Sequence, residues 1–226
     1  MTKTAISFKV PPRLWKSFKE QTDSLFISRA PFLSYMVKGE LRHLTEELAG
    51  LRLSTAAKRY ISGELKRQEP VSVNIEVEPE TADALRAATK AHNLVRDAFM
   101  CRLIIFLRSN DAFLDWLELP RLAANIRGGG SLQDMPASPL RAMEAVRDDP
   151  LYYVRNRVED IHGCGIYRVP LMPGVDWAAC YLEDDVVPKT RAFKRRKKEL
   201  DEALGFLIES STPGKAASAS KKGVAP

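Results

Sequence analysis

The stretch Ile6-Ser-Phe-Lys-Val-Pro-Pro12 lies 67 residues ahead of Val73-Asn-Ile-Glu-Val-Glu-Pro79, and the two align without a gap. Each opens in strict alternation. Ile6, Phe8 and Val10 are separated by Ser7 and Lys9, and Val73, Ile75 and Val77 by Asn74 and Glu76. A period of two in β-branched and aromatic residues predicts a strand with one buried face. Pro12 and Pro79 end each strand and suit the first turn of a helix. The alignment continues through Thr22 with Thr89, Arg29 with Arg96 and Phe32 with Phe99. Identities are few; the weight lies in the shared change of period at the same place.

Helical spacing follows in both copies. Leu14, Phe18 and Leu25 fall near one face in the first, and Leu85, Ala88 and His92 in the second. A polar break, Ser28-Arg29-Ala30 or Arg96-Asp97, then starts a second helix. Phe32, Met36 and Val37 run on to Leu41, Leu44 and Leu48, and Phe99, Leu103 and Ile104 to Leu107. One strand and two helices cannot close a core alone. Two copies can, if their strands pair antiparallel and their four helices share an interior. Ser54 to Arg67 predicts a linker helix capped by Ser54. The fold class read from this is mostly α with a two-stranded antiparallel ribbon (α+β). Residues 1–48 form repeat one, 49–69 a helical linker and 70–110 repeat two.

This order of elements resembles the ribbon-helix-helix DNA-binding proteins, the class of Arc and MetJ, which read DNA with a β-ribbon. The resemblance covers residues 4–48 and 70–108 and is to tandem, single-chain members of that family. It implies an intramolecular pseudo-dimer, monomeric or further paired as a homodimer, with double-stranded DNA as partner. In the family, alternate outward strand residues contact bases, which implies Ala5, Ser7, Lys9, Ser72, Asn74 and Glu76 here. Their chemistry suits the major groove: lysine donates to guanine, asparagine pairs with adenine, and glutamate accepts from cytosine. The family's other contact is a phosphate at the N-terminus of the second helix, which implies Ser28, Arg29 and Arg96. Asp97 departs from a comfortable phosphate site, and Glu76, Glu78, Glu80 and Asp83 make that entry acidic. The first copy is therefore expected to grip DNA harder, and the unequal halves to read a non-palindromic site.

The charge of the 226-residue chain is +6, with 45% hydrophobic and 28% charged residues. It is unevenly spread: +6 over residues 1–69, zero over 70–110, −5 over 111–190 and +5 over 191–226. Segregation of this kind suggests separate surfaces for separate partners. Three cysteines with no CxxC pair argue against a disulfide-built secreted fold. The N-terminus is too charged for a signal peptide, and the longest apolar run, Ala98 to Leu107, is half a membrane span and contains Arg102. The expectation is a cytoplasmic protein with no membrane partner. That run is apolar nearly all round, so its helix must be covered, by the acidic region or by a second subunit.

Residues 111–209 read as an α+β region. Helical spacing runs from Asp111 to Ile126, interrupted by Pro120, and further helices are expected over Pro139–Arg147 and Tyr152–His162. Gly165–Val169 and Trp177–Leu182 read as two strands. Gly128-Gly129-Gly130 is a connection, not a phosphate loop, since no GK[ST] follows. Arg191 to Ser210 reads as a helix capped by Thr190, whose Lys194, Arg195 and Arg196 are expected to add phosphate contacts. Residues 210–226 are too polar and breaker-rich to order themselves.

Catalysis has little support. His162, Cys164, Cys180 and Glu183 match no standard zinc spacing, and no nucleophile elbow, Walker motif or dinucleotide fingerprint occurs. No enzymatic activity, cofactor or metal is expected. The reading is sequence-specific DNA binding, as a transcriptional repressor or a conjugation or mobile-element accessory factor. The alternative is a protein-interaction scaffold, suggested by the acidic second entry, the all-apolar helix and an acidic 111–190 region that could hold a protein partner.

Overall fold

The structure is a computed structural model; the residues described are 3–117, 149–169 and 171, with 187, 190, 191, 193–195 and 198 further on. Along the chain come β1 (Thr4–Val10), α1 (Pro12–Ser24), α2 (Arg29–Glu47) and α3 (Thr55–Arg67). There follow β2 (Val71–Val77), α4 (Pro79–Ala91), α5 (Arg96–Leu107), α6 (Asp111–Trp116) and α7 (Tyr152–His162). The architecture is mostly helical with one two-stranded antiparallel sheet.

The alternating segments form the strands. Ile6, Phe8 and Val10 face the core with Val73, Ile75 and Val77, while the intervening side chains are exposed. The register runs from Thr4 opposite Val77 to Val10 opposite Val71, with Ser7 opposite Asn74. Pro12 and Pro79 each occupy the first turn of the following helix. The turn after α1 is made by Phe26 at φ 54°, with the Ile27 N–H on the Thr22 carbonyl at 2.9 Å. The turn after α4 has Asn93 at φ 53° and the Leu94 N–H on the Thr89 carbonyl, also at 2.9 Å.

Packing crosses between the two aligned segments. α2 lies against β2 and α4, whereas α5 lies against β1 and α1. A shared core results, with Phe8, Phe18, Phe32, Ile75 and Phe99 in one cluster. Burying each such side chain is worth about 1.5–3 kcal/mol. The linker is helical as expected, and Ser54 Oγ accepts from the Ala57 N–H at 3.1 Å.

Every residue of α5 from Ala98 to Leu107 is buried, Arg102 included. The cover comes from the same chain. Tyr167 packs on Phe99, ring centroids 5.8 Å apart, and Phe113 meets Phe106 edge-on at 5.5 Å. The Arg102 guanidinium donates to the carbonyls of Ile166 (2.6 Å) and Val169 (2.5 Å). A buried ionic cluster fastens the same region to α2. Arg155 of α7 meets Glu40 at 2.6 Å, the Tyr167 hydroxyl donates to Glu40, and Glu47 accepts from the Tyr167 N–H at 2.8 Å.

Gly165–Val169 is not the expected strand. It is a turn, with the Arg168 and Val169 N–H groups on the Gly165 carbonyl at 3.0 Å. The Ile166 and Val169 carbonyls accept from the Arg102 side chain and the Tyr167 N–H donates to Glu47, so these groups are taken up by side chains and not by a strand partner. Among the described residues β1 and β2 are the only strands. Tyr152–His162 is helical as expected. Thr190 Oγ1 accepts from the Phe193 N–H at 3.1 Å, as a cap should. Pro139–Arg147, Trp177–Leu182, the glycine run, the spacing beyond Leu117, most of the Arg191–Ser210 segment and residues 210–226 lie outside the described residues. No helix among those described is long and apolar enough to cross a membrane.

Candidate nucleic-acid interface

A strand pair with one face on the core must present its other face outward. Ala5, Ser7, Lys9, Ser72, Asn74 and Glu76 are all exposed. Across the ladder Ala5 stands opposite Glu76, Ser7 opposite Asn74 and Lys9 opposite Ser72. The hydroxyls of Ser7 and Ser72 lie 3.1 Å apart, so the six side chains form one continuous row. The Lys9 ammonium has no ion-pair partner among the described residues, while Glu76 is met by Lys3 at 3.7 Å.

The row is flanked on each side by a helix N-terminus. Ser28, Arg29 and Ala30 at the start of α2 line a cleft with Val73, Asn74 and Ile75. Val95, Arg96 and Asp97 at the start of α5 line another with Thr4, Ala5 and Ile6. The two helices share a further property. Neither N-cap, Ser28 or Val95, makes a side-chain capping bond. The same holds for α1, α4 and α7, whereas α3 and α6 are capped by Ser54 and Asn110, so what sets α2 and α5 apart is their place beside the ribbon. Uncapped first-turn N–H groups and the positive end of the helix dipole favour an anion.

Both arginines are engaged in the free protein. Arg29 pairs with Asp23, and Arg96 with Asp97 at 3.4 Å. These are partly exposed pairs worth about 0–1 kcal/mol each, which a phosphate diester can displace.

The second flank is acidic along the sequence, but its carboxylates are mostly paired in the fold. Three of its four acidic residues are paired with cations: Glu76 with Lys3, Glu78 with Lys38 at 2.7 Å, and Asp83 with Arg86 at 2.6 Å. The cleft beside α5 also gathers Arg52, Lys58, Arg86 and Lys90 around Arg96. Arg52 and Lys58 come from the linker, which is stapled to the turn before α5. His92 Nδ1 donates to the Leu51 carbonyl at 2.8 Å, Asn93 Nδ2 to the Leu53 carbonyl at 2.7 Å, and Lys58 to Asn93 Oδ1 at 3.2 Å. Sequence inspection missed these four cations. The basic stretch Lys58-Arg59 is visible, but the fold that delivers Lys58 to α5 is not.

The remaining candidates separate from this surface. Lys194 and Arg195 are exposed and Arg196 lies outside the described residues. His162 is exposed, and its Nε2 donates to the Leu117 carbonyl at 3.0 Å. No cluster of metal-ligating side chains occurs among the described residues. Comparison with family models, curated proteins and solved structures gives no significant match to the chain.

Proposed function

We propose that this chain is a tandem ribbon-helix-helix protein that binds double-stranded DNA sequence-specifically, with its β-ribbon in the major groove. Its role on this reading is that of a transcriptional repressor or a conjugation or mobile-element accessory factor. The observation that carries the reading is the exposed row Ala5, Ser7, Lys9, Ser72, Asn74 and Glu76, flanked by two uncapped helix starts with arginines. A two-stranded ribbon fits the major groove, where each base pair presents its own donor and acceptor pattern. The pseudo-dimer is supported by the register: Ser7 pairs with Asn74, its own aligned counterpart, as a two-fold relation requires. It is supported again by the exchanged packing of α2 on β2 and α5 on β1.

The six base-facing residues differ between the strands, so the preferred site is non-palindromic. Both flanks take a phosphate, the first through Ser28 and Arg29 and the second through Arg96 with the linker cations. Two features that favour a scaffold lose their force within the fold. The apolar α5 is covered by Tyr167 and its neighbours, and the acidic second entry is largely paired. The test is gel-shift titration of a selected duplex with Lys9→Ala and Asn74→Ala. Each variant loses about 1–3 kcal/mol of affinity with its fold intact. Unchanged binding of every duplex by both variants overturns the ribbon reading.

A further inference from the structure

At the Val10–Val71 end of the ribbon, a cleft of about 670 Å³ opens where the start of α1 meets the end of α5. Leu14, Ile105 and Phe113 make its apolar wall, and Gln68 its polar edge. Two arginines also line it, Arg13 and Arg108. Arg13 is exposed. Arg108 is half-buried, and burial draws its guanidinium below the usual value. Neither arginine has a hydrogen-bond or ion-pair partner for its guanidinium among the described residues.

This sets Arg108 apart from the other two arginines sunk in the fold. Arg102 is held by two carbonyls, and Arg155 by Glu40. A desolvated guanidinium without a counter-charge is costly. The carbonyl end of α5 offsets part of that cost at Arg108, which caps the helix. An anion in the cleft would offset the rest. A guanidinium binds carboxylates and phosphates through two parallel hydrogen bonds, and the apolar wall suits a hydrocarbon or aromatic body.

We propose that this cleft binds a small amphipathic anion, a carboxylate, phosphate or sulfonate on an apolar body. Arg108 is its principal anchor, Arg13 its second, and Leu14, Ile105 and Phe113 hold the body. The site is separate from the DNA-binding reading and stands or falls without it.

The test titrates the full chain with the fluorescent probe 8-anilinonaphthalene-1-sulfonate. One saturable site is expected. Arg108→Gln weakens it about tenfold or more, the scale of a lost charge-assisted hydrogen bond. Arg13→Gln weakens it less, Arg108→Lys keeps part of it, and Arg59→Gln on α3 leaves it unchanged. Octanoate displaces the dye, and octanol at equal concentration does not. Arg108→Gln breaks no ion pair among the described residues, and its unfolding midpoint is measured beside the parent's so that lost dye binding is read on folded protein. Dye binding unchanged in Arg108→Gln overturns the proposal. So does equal displacement by octanol, or the absence of a saturable site.

Discussion

Phe26 and Asn93 hold the same left-handed turn at different cost. Asn tolerates positive φ, and Asn93 uses its side chain to bind Leu53 and Lys58. Phe26 is 97% exposed, so it gains almost no burial to set against the strain of an aromatic residue there. Phe26→Asn is expected to raise stability by about 0.5–1 kcal/mol, seen as a higher urea midpoint with unchanged slope. The buried cluster gives the opposite sign. Removing one partner with Arg155→Met leaves Glu40 charged and buried, at a cost of about 3–5 kcal/mol. Glu47 adds a pH dependence. Burial raises its carboxyl above the ordinary value, against weaker opposing pulls from the Tyr167 N–H and Arg155. The native state therefore holds this proton to higher pH than the unfolded chain does. Its contribution is full below the ordinary carboxylate range and declines as pH rises through that range to the elevated native value. Comparing urea midpoints from acid to neutral pH, Glu47→Gln should show a smaller decline. Little of this was legible. Arg102 stood out as a charge in an apolar run, but carbonyls 64 and 67 residues away carry no side-chain signature.

At the scale of elements, the paired strands and the helices through α5 follow from period and punctuation. Alternation places Phe8 and Ile75 inside, Pro12 and Pro79 start helices, and Ser54 caps the linker. The reading failed at Gly165–Val169, where Ile166 and Tyr167 are both buried although adjacent, which a half-buried strand does not allow. A Cβ on Gly165 would overlap the Glu47 carboxylate. Gly165→Ala is expected to expel that carboxylate from Tyr167 and cost about 1–3 kcal/mol. The linker and the end of α4 carry a functional expectation too. If Arg52, Lys58 and Lys90 contact phosphates, each alanine substitution flattens the slope of log K against log salt by about 0.9. Truncation after Val187 tests the basic segment beyond it in the same way. An unchanged slope in either case removes those cations from the interface.

For the whole molecule, the modest charge of +6 is an average over unlike parts. The linker cations gather beside α5, and the 149–169 region covers α5 and brings Arg155 to Glu40 and Glu47 of α2 and to its own Asp149. Segregation along the sequence was legible as a tally by segment. Its meaning depended on the linker bonds to Leu51, Leu53 and Asn93, which no periodicity encodes. On the proposed reading the two fused halves are unequal, whereas a symmetric dimer reads a palindrome. The most direct test is selection of bound fragments from a random duplex pool at near-physiological salt, with the parent chain and with Lys9→Ala/Asn74→Ala. The account predicts one short, non-palindromic motif for the parent and its loss in the double variant, with salt-dependent nonspecific binding retained. Recovery of no motif, or of the same motif by both proteins, contradicts it.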